Sequence, residues 1–250
     1  MGCLRRLFRL LFSLLIVILL LAGGAYALIY YYTTQKLPDE LRRYFFLPPS
    51  AKVEINHGTP LDSFSGRLES VRINSSEAKV GELVVTDLRL SAEDIEFSIP
   101  NLLLKRSPVI RELGEASVRF LVPKSSLEEY WLNRGSTYGL KEVRIVFRLG
   151  TESEPVPSID IFAKFQILEA KIDFKLNGYY ELSRNGNLVF KIFSTEVEGL
   201  KVGRDILEKV FVSLAPKISV SALQRDLIIN EFKILGEGIL ISATTDRNSD

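Results

Sequence analysis

Apolar and polar residues alternate along most of the chain after residue 70. In the run 142–149, for example, every odd-numbered position is apolar: Val143, Ile145, Phe147 and Leu149. A period of two is typical of strands with one buried and one solvent-exposed face, which is the pattern of antiparallel sheets. Strands are therefore predicted over 71–73, 83–90, 95–99, 118–122, 143–149, 159–167, 172–176, 179–182, 188–193, 218–222, 227–235 and 239–243.

After residue 70, helical periodicity is limited to three short segments, which are 101–113, 125–134 and 205–214. The second begins with two overlapping capping boxes, in which a serine precedes a glutamate by three positions: Ser125 with Glu128 and Ser126 with Glu129. The long helices that parallel βαβ units need between their strands are not indicated. The pattern therefore predicts an α+β fold, with a mainly antiparallel, curved β-sheet and two or three short helices.

Two connections stand out between the predicted strands. Asn185-Gly186 predicts a hairpin turn between 179–182 and 188–193, because both positions of a two-residue hairpin turn favour positive φ. The segment 151–158 is the best internal break in the pattern. It is either a long hairpin loop or a seam between two halves of the domain.

The N-terminus has a different pattern, because residues 10–32 contain no charge. As a helix these residues would extend about 34 Å, which is enough to cross a hydrocarbon core of about 30 Å. Positive charges precede the segment and no acidic residue occurs before Asp39, so residues 1–9 are expected in the cytoplasm and the rest outside it. The residues expected at the membrane interface are Arg5, Arg6, Arg9, Tyr30, Tyr31 and Tyr32.

A cleaved signal peptide is the alternative to an anchor, because Ala25-Tyr26-Ala27 resembles a cleavage site. The apolar run continues past this site, which favours a retained anchor, and either outcome exports the domain. The segment 36–47 predicts a short helix that either lies on the membrane surface or packs on the domain. The expected organisation is a basic tail at 1–9, a transmembrane anchor at 10–32, a juxtamembrane helix and linker at 33–50, a β-rich extracytoplasmic domain at 51–245 and a tail at 246–250.

Composition argues against several classes of function. The 32 basic and 31 acidic residues nearly cancel, so no basic field for nucleic acid is expected. The chain has one histidine, His57, and one cysteine, Cys3, which are too few for a zinc cluster or an intramolecular disulfide. No nucleophile elbow, phosphate-binding loop or dinucleotide fingerprint is present. We therefore expect a protein that is not an enzyme and needs no metal or cofactor.

Aromatic residues suggest where a ligand could bind. Phe162 and Phe193 fall on the opposite parity from the main apolar face of their strands. A sheet with apolar residues on both faces needs a helix, a partner or a lipid on each. The residues predicted to line an apolar groove are Phe147, Phe162, Phe165, Phe174 and Phe193.

The first part of the exported region is similar to the LmeA-like phospholipid-binding family of bacterial envelope proteins. The matching residues, in order, are Ala51–Ile55, Gly58, Pro60, Gly66–Ile73, Val80–Val85, Leu88, Leu90, Ala116–Val118 and Leu127. The resemblance implies an exported lipid-binding domain of the tubular kind, in which a curved sheet wraps a helix around an apolar channel. The second half of the chain resembles the family only in its pattern of strands.

Two functions fit these observations. The first is a single-pass cell-membrane protein whose extracytoplasmic (in a bacterium, periplasmic) domain binds membrane phospholipid or other acyl chains in an apolar groove. The alternative is a structural or scaffold protein of the cell envelope, which docks a protein partner of unknown identity. A lipid carrier predicts a roomy cavity, whereas a scaffold predicts a filled core and an exposed apolar patch or strand edge.

Overall fold

A computed structural model gives the structure of the chain. It describes residues 15–17, 19–20, 23–59, 62, 65–98, 110–150, 157–167, 170–183, 186–198, 200–201, 215–220 and 227–245. The predicted helix at 205–214 and the predicted tails at 1–9 and 246–250 lie outside the described residues. The chain divides into two compact units, unit 1 with Met1–Tyr44, Val53–Arg72 and Ala92–Gly114, and unit 2 with Phe45–Lys52, Ile73–Ser91 and Glu115–Asp250.

The N-terminal part of unit 1 is helical. Residues 23–31 form an α-helix, a π-helical turn follows at Tyr32–Lys36, and helix α1 occupies Leu37–Tyr44. Thr33 and Thr34 donate their hydroxyls to the carbonyls of Ile29 and Tyr30 at 2.9 and 2.6 Å. Such bonds compete with the backbone ladder and commonly distort helices, which explains the wider turn here.

The structure describes only part of the predicted anchor. Among the described residues, no helix combines the length and the apolar character that crossing a membrane requires. Residues 10–14, 18 and 21–22 of the predicted anchor lie outside the described residues. The described part has large exposed apolar side chains, at 62% for Leu19, 70% for Leu20 and 61% for Leu28.

The strands form two sheets, and the prediction of an α+β fold with mainly antiparallel, curved sheets and few helices is confirmed. One sheet has the order β1-β2-β3-β5-β12-β11, with β4 paired to β3, and the other has the order β10-β9-β8-β7-β6. The strands are β1 Lys52–Asn56, β2 Arg67–Val80, β3 Leu83–Phe97, β4 Ile110–Leu113, β5 Ala116–Pro123, β6 Leu140–Arg148, β7 Ser158–Ile167, β8 Ala170–Leu182, β9 Leu188–Val197, β10 Leu200–Lys201, β11 Leu227–Ile234 and β12 Gly238–Thr245. Every strand pair with a described register is antiparallel.

The strand β4 corrects the helix predicted at 101–113, of which residues 101–109 lie outside the described residues. Leu113 pairs with Ile95 of β3. Gly114 then closes the connection by donating its N–H to the carbonyl oxygens of Glu93 and Asp94 at 3.1 and 3.2 Å. Pairing with a neighbouring strand therefore outweighs the helical spacing of this short segment.

Helix α2, at Lys124–Gly135, confirms the helix predicted at 125–134. The predicted capping boxes are wrong, because the N-cap is the extended residue Pro123 and no side chain caps the helix. Glu128 instead accepts a hydrogen bond from the backbone N–H of Ile145 on β6, at 2.7 Å. This contact satisfies a donor on an edge strand, so the glutamate connects the helix to the sheet.

Helix α2 also provides part of the core of unit 2. Its residues Leu127 and Trp131 are buried. The ring of Trp131 meets Phe190 of β9 edge to face, with 6.4 Å between centroids. Phe190 in turn meets Tyr180 of β8 at 5.3 Å. The single tryptophan of the chain therefore reports on the packing of α2 against the second sheet.

Strands β8 and β9 form the predicted hairpin. Leu182 pairs with Leu188, so the connection has five residues, and Gly186 has a φ of +69°. A bulge lies farther along the pair, where Asn177 opposes Ser194 and Gly178 opposes Ile192. In the same sheet, Arg148 of β6 pairs with Ser158 of β7. The segment 151–158 therefore belongs to the connection between the two strands of a hairpin. Residues 151–156 themselves lie outside the described residues.

Candidate functional site

A pocket of about 350 Å³ lies within unit 2. It is bounded by the turn between β2 and β3, by β5, by one side of α2, and by the segment 215–219. Its volume is at the lower end of the range of small-molecule sites in proteins. The pocket is therefore large enough to hold a ligand rather than a single water molecule.

Apolar side chains form the floor of this pocket. Strand alternation brings them there from three different strands, since Val80 ends β2, Leu83 and Val85 begin β3, and Phe120 lies in the middle of β5. Ile218 adds a fifth apolar side chain from the segment 215–219. All five are at most 5% exposed. This part of the wall has no charge to offer a ligand.

The rim of the pocket is charged. Arg134, in the last turn of α2, contacts both carboxylate oxygens of Glu82: its Nη2 is 2.7 Å from Oε1 and 2.6 Å from Oε2, and its Nε is 3.2 Å from Oε2. The side chains of Arg134 and Glu82 are 47% and 60% exposed. The pair therefore lies where the pocket meets solvent, and the arginine holds the carboxylate in a two-pronged geometry.

Two further polar side chains among the described residues line the pocket near this pair. Tyr130 is half-buried, and its ring lies 5.5 Å from the guanidinium carbon of Arg134. Burial raises the pKa of the Tyr130 phenol. Lys217 is exposed and also lines the pocket. Within the described part of the chain, the rim thus has two cations, one anion and a phenol.

This arrangement suits an amphiphile. An apolar chain could displace water from the floor, while an anionic group remained at the rim near Arg134 and Lys217. None of the lining residues that the structure describes is a histidine, a cysteine or an aspartate. Among the described residues, no cluster of three or more side chains has the composition of a metal site.

The five predicted groove phenylalanines do not lie around this pocket. Phe147, Phe165 and Phe174 share one face of the second sheet, because Phe147 opposes Ile159 and Phe174 opposes Ala163, which have the same parity as Phe165 on β7. Of these, Phe165 and Phe174 are in contact, with 5.9 Å between ring centroids. Phe147 lies six positions from Phe165 in the register of β6 with β7, so it is not part of that contact.

The other two phenylalanines have different surroundings. Phe162 lies on the opposite face of the sheet, between the charged ends of Arg144 and Lys175 at 4.8 and 5.9 Å from its ring. Phe193 is the unpaired residue of the bulge in β9 and is 73% exposed. The structure therefore places Phe162 on the face opposite Phe165 and Phe174, and it leaves Phe193 exposed at a bulge.

The predicted interface residues are partly described. Tyr30 and Tyr31 are exposed, whereas the Tyr32 hydroxyl donates a hydrogen bond to Glu40 at 2.6 Å. Tyr30 also lies 5.7 Å from His57, measured between ring centroids. Burial lowers the pKa of His57 and so favours its neutral form. Arg5, Arg6 and Arg9 lie outside the described residues.

Sequence reasoning missed the rim residues. Tyr130 and Arg134 are four positions apart on a predicted helix, so a shared face was readable from spacing. The partner of Arg134 could not be predicted from the sequence, because Glu82 precedes it by 52 positions and lies in a turn. Lys217 follows a proline in a segment with no helical pattern, and no signal marks it.

Comparison of the chain with models of known protein families, with curated proteins and with solved structures returns no match.

Proposed function

We propose that this protein is a membrane-anchored, non-enzymatic binding protein that holds an acyl chain of a phospholipid or another lipid in the pocket of unit 2. The observation that carries the proposal is the pocket itself, which combines an apolar floor from three strands with a rim containing Arg134 and Lys217. Lipids have this division between an apolar chain and a polar head. The resemblance to a phospholipid-binding envelope family agrees with this proposal.

The size of the pocket limits how much of a lipid it holds. A volume of about 350 Å³ suits part of one acyl chain better than both tails of a phospholipid. Burial of about eight methylene groups would contribute about 6 kcal/mol, before the costs of association are subtracted. Burial of an acyl chain against the apolar floor can therefore give useful affinity by itself, and polar contacts at the rim can add selectivity between head groups.

The proposal places the pocket on the far side of a membrane. Residues 10–32 contain no charge, three arginines precede them, and the described part exposes Leu19, Leu20 and Leu28. A bilayer would cover such side chains. We propose that this segment anchors the chain, with the N-terminus in the cytoplasm and the β-rich region 51–245 outside it.

A single charged substitution in the apolar segment tests the proposed anchor. Leu20→Arg in the full chain is expected to move most of the protein from the membrane pellet to the supernatant after an alkaline wash, because an arginine in mid-bilayer is costly. Leu149→Arg is the matched control, since Leu149 is 56% exposed outside the anchor, and it should stay in the pellet. Equal behaviour of the two variants would contradict the anchor.

The pocket is tested by photolabelling. The full chain is placed in phosphatidylcholine vesicles with a fatty acid that carries a diazirine in its chain, and the labelled peptides are mapped by mass spectrometry. Labels are expected on the anchor and on the peptides that contain Phe120 and Ile218. Ser219→Phe, which puts an aromatic ring into the pocket, is expected to reduce the pocket labels at least about fivefold, because it removes room for the chain.

Ser194→Phe is the matched control, because Ser194 is also half-buried but lies on the second sheet away from the pocket. Emission of Trp131 verifies that both variants keep the fold of unit 2. Labelled anchor peptides without labelled pocket peptides would contradict lipid binding in this pocket. That result would favour the scaffold function instead.

A further inference from the structure

The salt bridge at the rim suggests which lipids the pocket selects. Arg134 has planar, fixed donors, and Glu82 accepts from two of its nitrogens with both carboxylate oxygens. A fatty-acid carboxylate or a lipid phosphate offers the same pair of oxygens. The Glu82 carboxylate therefore lies where the anionic head of a bound lipid would have to lie in order to use this guanidinium.

We infer that the pocket takes a single-chain anionic lipid whose head group replaces Glu82 on Arg134, so that Glu82 acts as an internal competitor. This inference rests on the proposed function, since it assigns the head group of the same ligand. The exchange is feasible because both partners are half-exposed, so Glu82 can swing into water after it is displaced. A neutral lipid gains nothing from displacing Glu82 and leaves the salt bridge in place.

Of the neighbouring residues, Lys217 favours the exchange, whereas Tyr130 interacts with both partners of the salt bridge, since Glu82 helps to raise the pKa of its phenol. Lys217 lines the same rim and offers a second cation to an incoming anion. The ring of Tyr130 supports the guanidinium from one side, 5.5 Å from its central carbon. Arg134 is thus held at the mouth of the pocket whether Glu82 or a ligand occupies its donors.

The experiment compares two photoactivatable probes with the same acyl chain in phosphatidylcholine vesicles containing the full chain. One probe ends in a carboxylate and the other in a neutral glycerol ester. Pocket labels are normalised to anchor labels, which removes differences in how each probe enters the bilayer. In the wild-type protein the carboxylate probe is expected to label the pocket more than the ester.

Two substitutions should change this preference in opposite directions. Glu82→Gln removes the competing charge, and it is expected to raise pocket labelling by the carboxylate probe about fivefold without changing labelling by the ester. Arg134→Gln should abolish the preference for the carboxylate and leave the ester labels in place. Glu231→Gln is the matched control, because it removes the same charge from an exposed pair with Lys233 outside the pocket.

The outcomes separate this inference from the proposed function. If neither probe labels the pocket in any variant, the lipid-binding proposal itself fails. If both probes label it and Glu82→Gln changes neither, or changes both equally, lipid binding stands and the internal competition is wrong. A fivefold gain in Glu231→Gln would show that net charge alone attracts the probe. Suppression by millimolar acetate would show a simple carboxylate site rather than a lipid site, and it would also overturn the inference.

Discussion

Phe120→Ala is expected to lower the free energy of unfolding of unit 2 by about 3–5 kcal/mol. Phe120 has no exposed surface, and its neighbours across the sheet, in register on β12, are also fully buried. Removal of the ring leaves a cavity that rigid strands on either side cannot collapse to fill. Denaturant unfolding of the full chain in detergent, followed by the emission of Trp131, measures the loss as a lower midpoint at unchanged slope.

The control for this substitution is Phe193→Ala. Phe193 is 73% exposed, so its loss is expected to change stability by less than about 0.5 kcal/mol. Both variants lose the same atoms from a strand residue, and only the surroundings differ. Similar losses in the two variants would mean that Phe193 is part of a core or a groove. The groove predicted from its parity would then become the better site.

The contrast between these phenylalanines shows how far alternation can be read from sequence. In β5 the period of two holds without interruption, and its buried positions include the three that were predicted: Val118, Phe120 and Val122. Alternation works there because each side chain simply takes the opposite face from its neighbour. A bulge breaks that rule, since the extra residue has no partner and the parity changes beyond it. Phe193 is such a residue.

Strand β3 also shows that alternation in the sequence does not reveal where the phase of the buried positions changes within a strand. The sequence predicts separate strands at 83–90 and 95–99, whereas the structure has one strand at Leu83–Phe97. Asp87 and Asp94 have φ values of +51° and +49°, and buried positions resume one residue out of phase after each of them. Aspartate tolerates this conformation better than most residues, yet nothing in a single sequence shows that it will be used.

The sequence predicted separate elements of the candidate site but not how they come together. The strands that supply Val85 and Phe120 and the helix that supplies Tyr130 were all predicted from their own local patterns. The pocket depends instead on which elements become neighbours and on a salt bridge between distant positions. Hydrophobic periodicity encodes the face of an element, not its partner, so it could not locate the rim.

Gly178→Ala is expected to destabilise unit 2 by about 2–3 kcal/mol. A Cβ on Gly178 would overlap the carbonyl oxygen of Lys191 and the ring of Phe190. The oxygen belongs to the backbone of β9, and the ring is confined by Trp131 and Tyr180, so neither can move away at low cost. The same unfolding experiment measures this effect, and Trp131 should also shift its emission because Phe190 contacts it.

Gly236→Ala is the control, because it makes the same glycine-to-alanine change at a different position. A Cβ there would meet no atom within 4 Å, and the backbone is not in the left-handed region. Since alanine restricts the unfolded chain more than glycine, this variant is expected to be neutral or slightly stabilising. Opposite signs for the two substitutions would support the close approach of β9 to Gly178. Equal effects would mean that the register of β8 with β9 is wrong, and that Phe193 need not be the residue left outside the sheet.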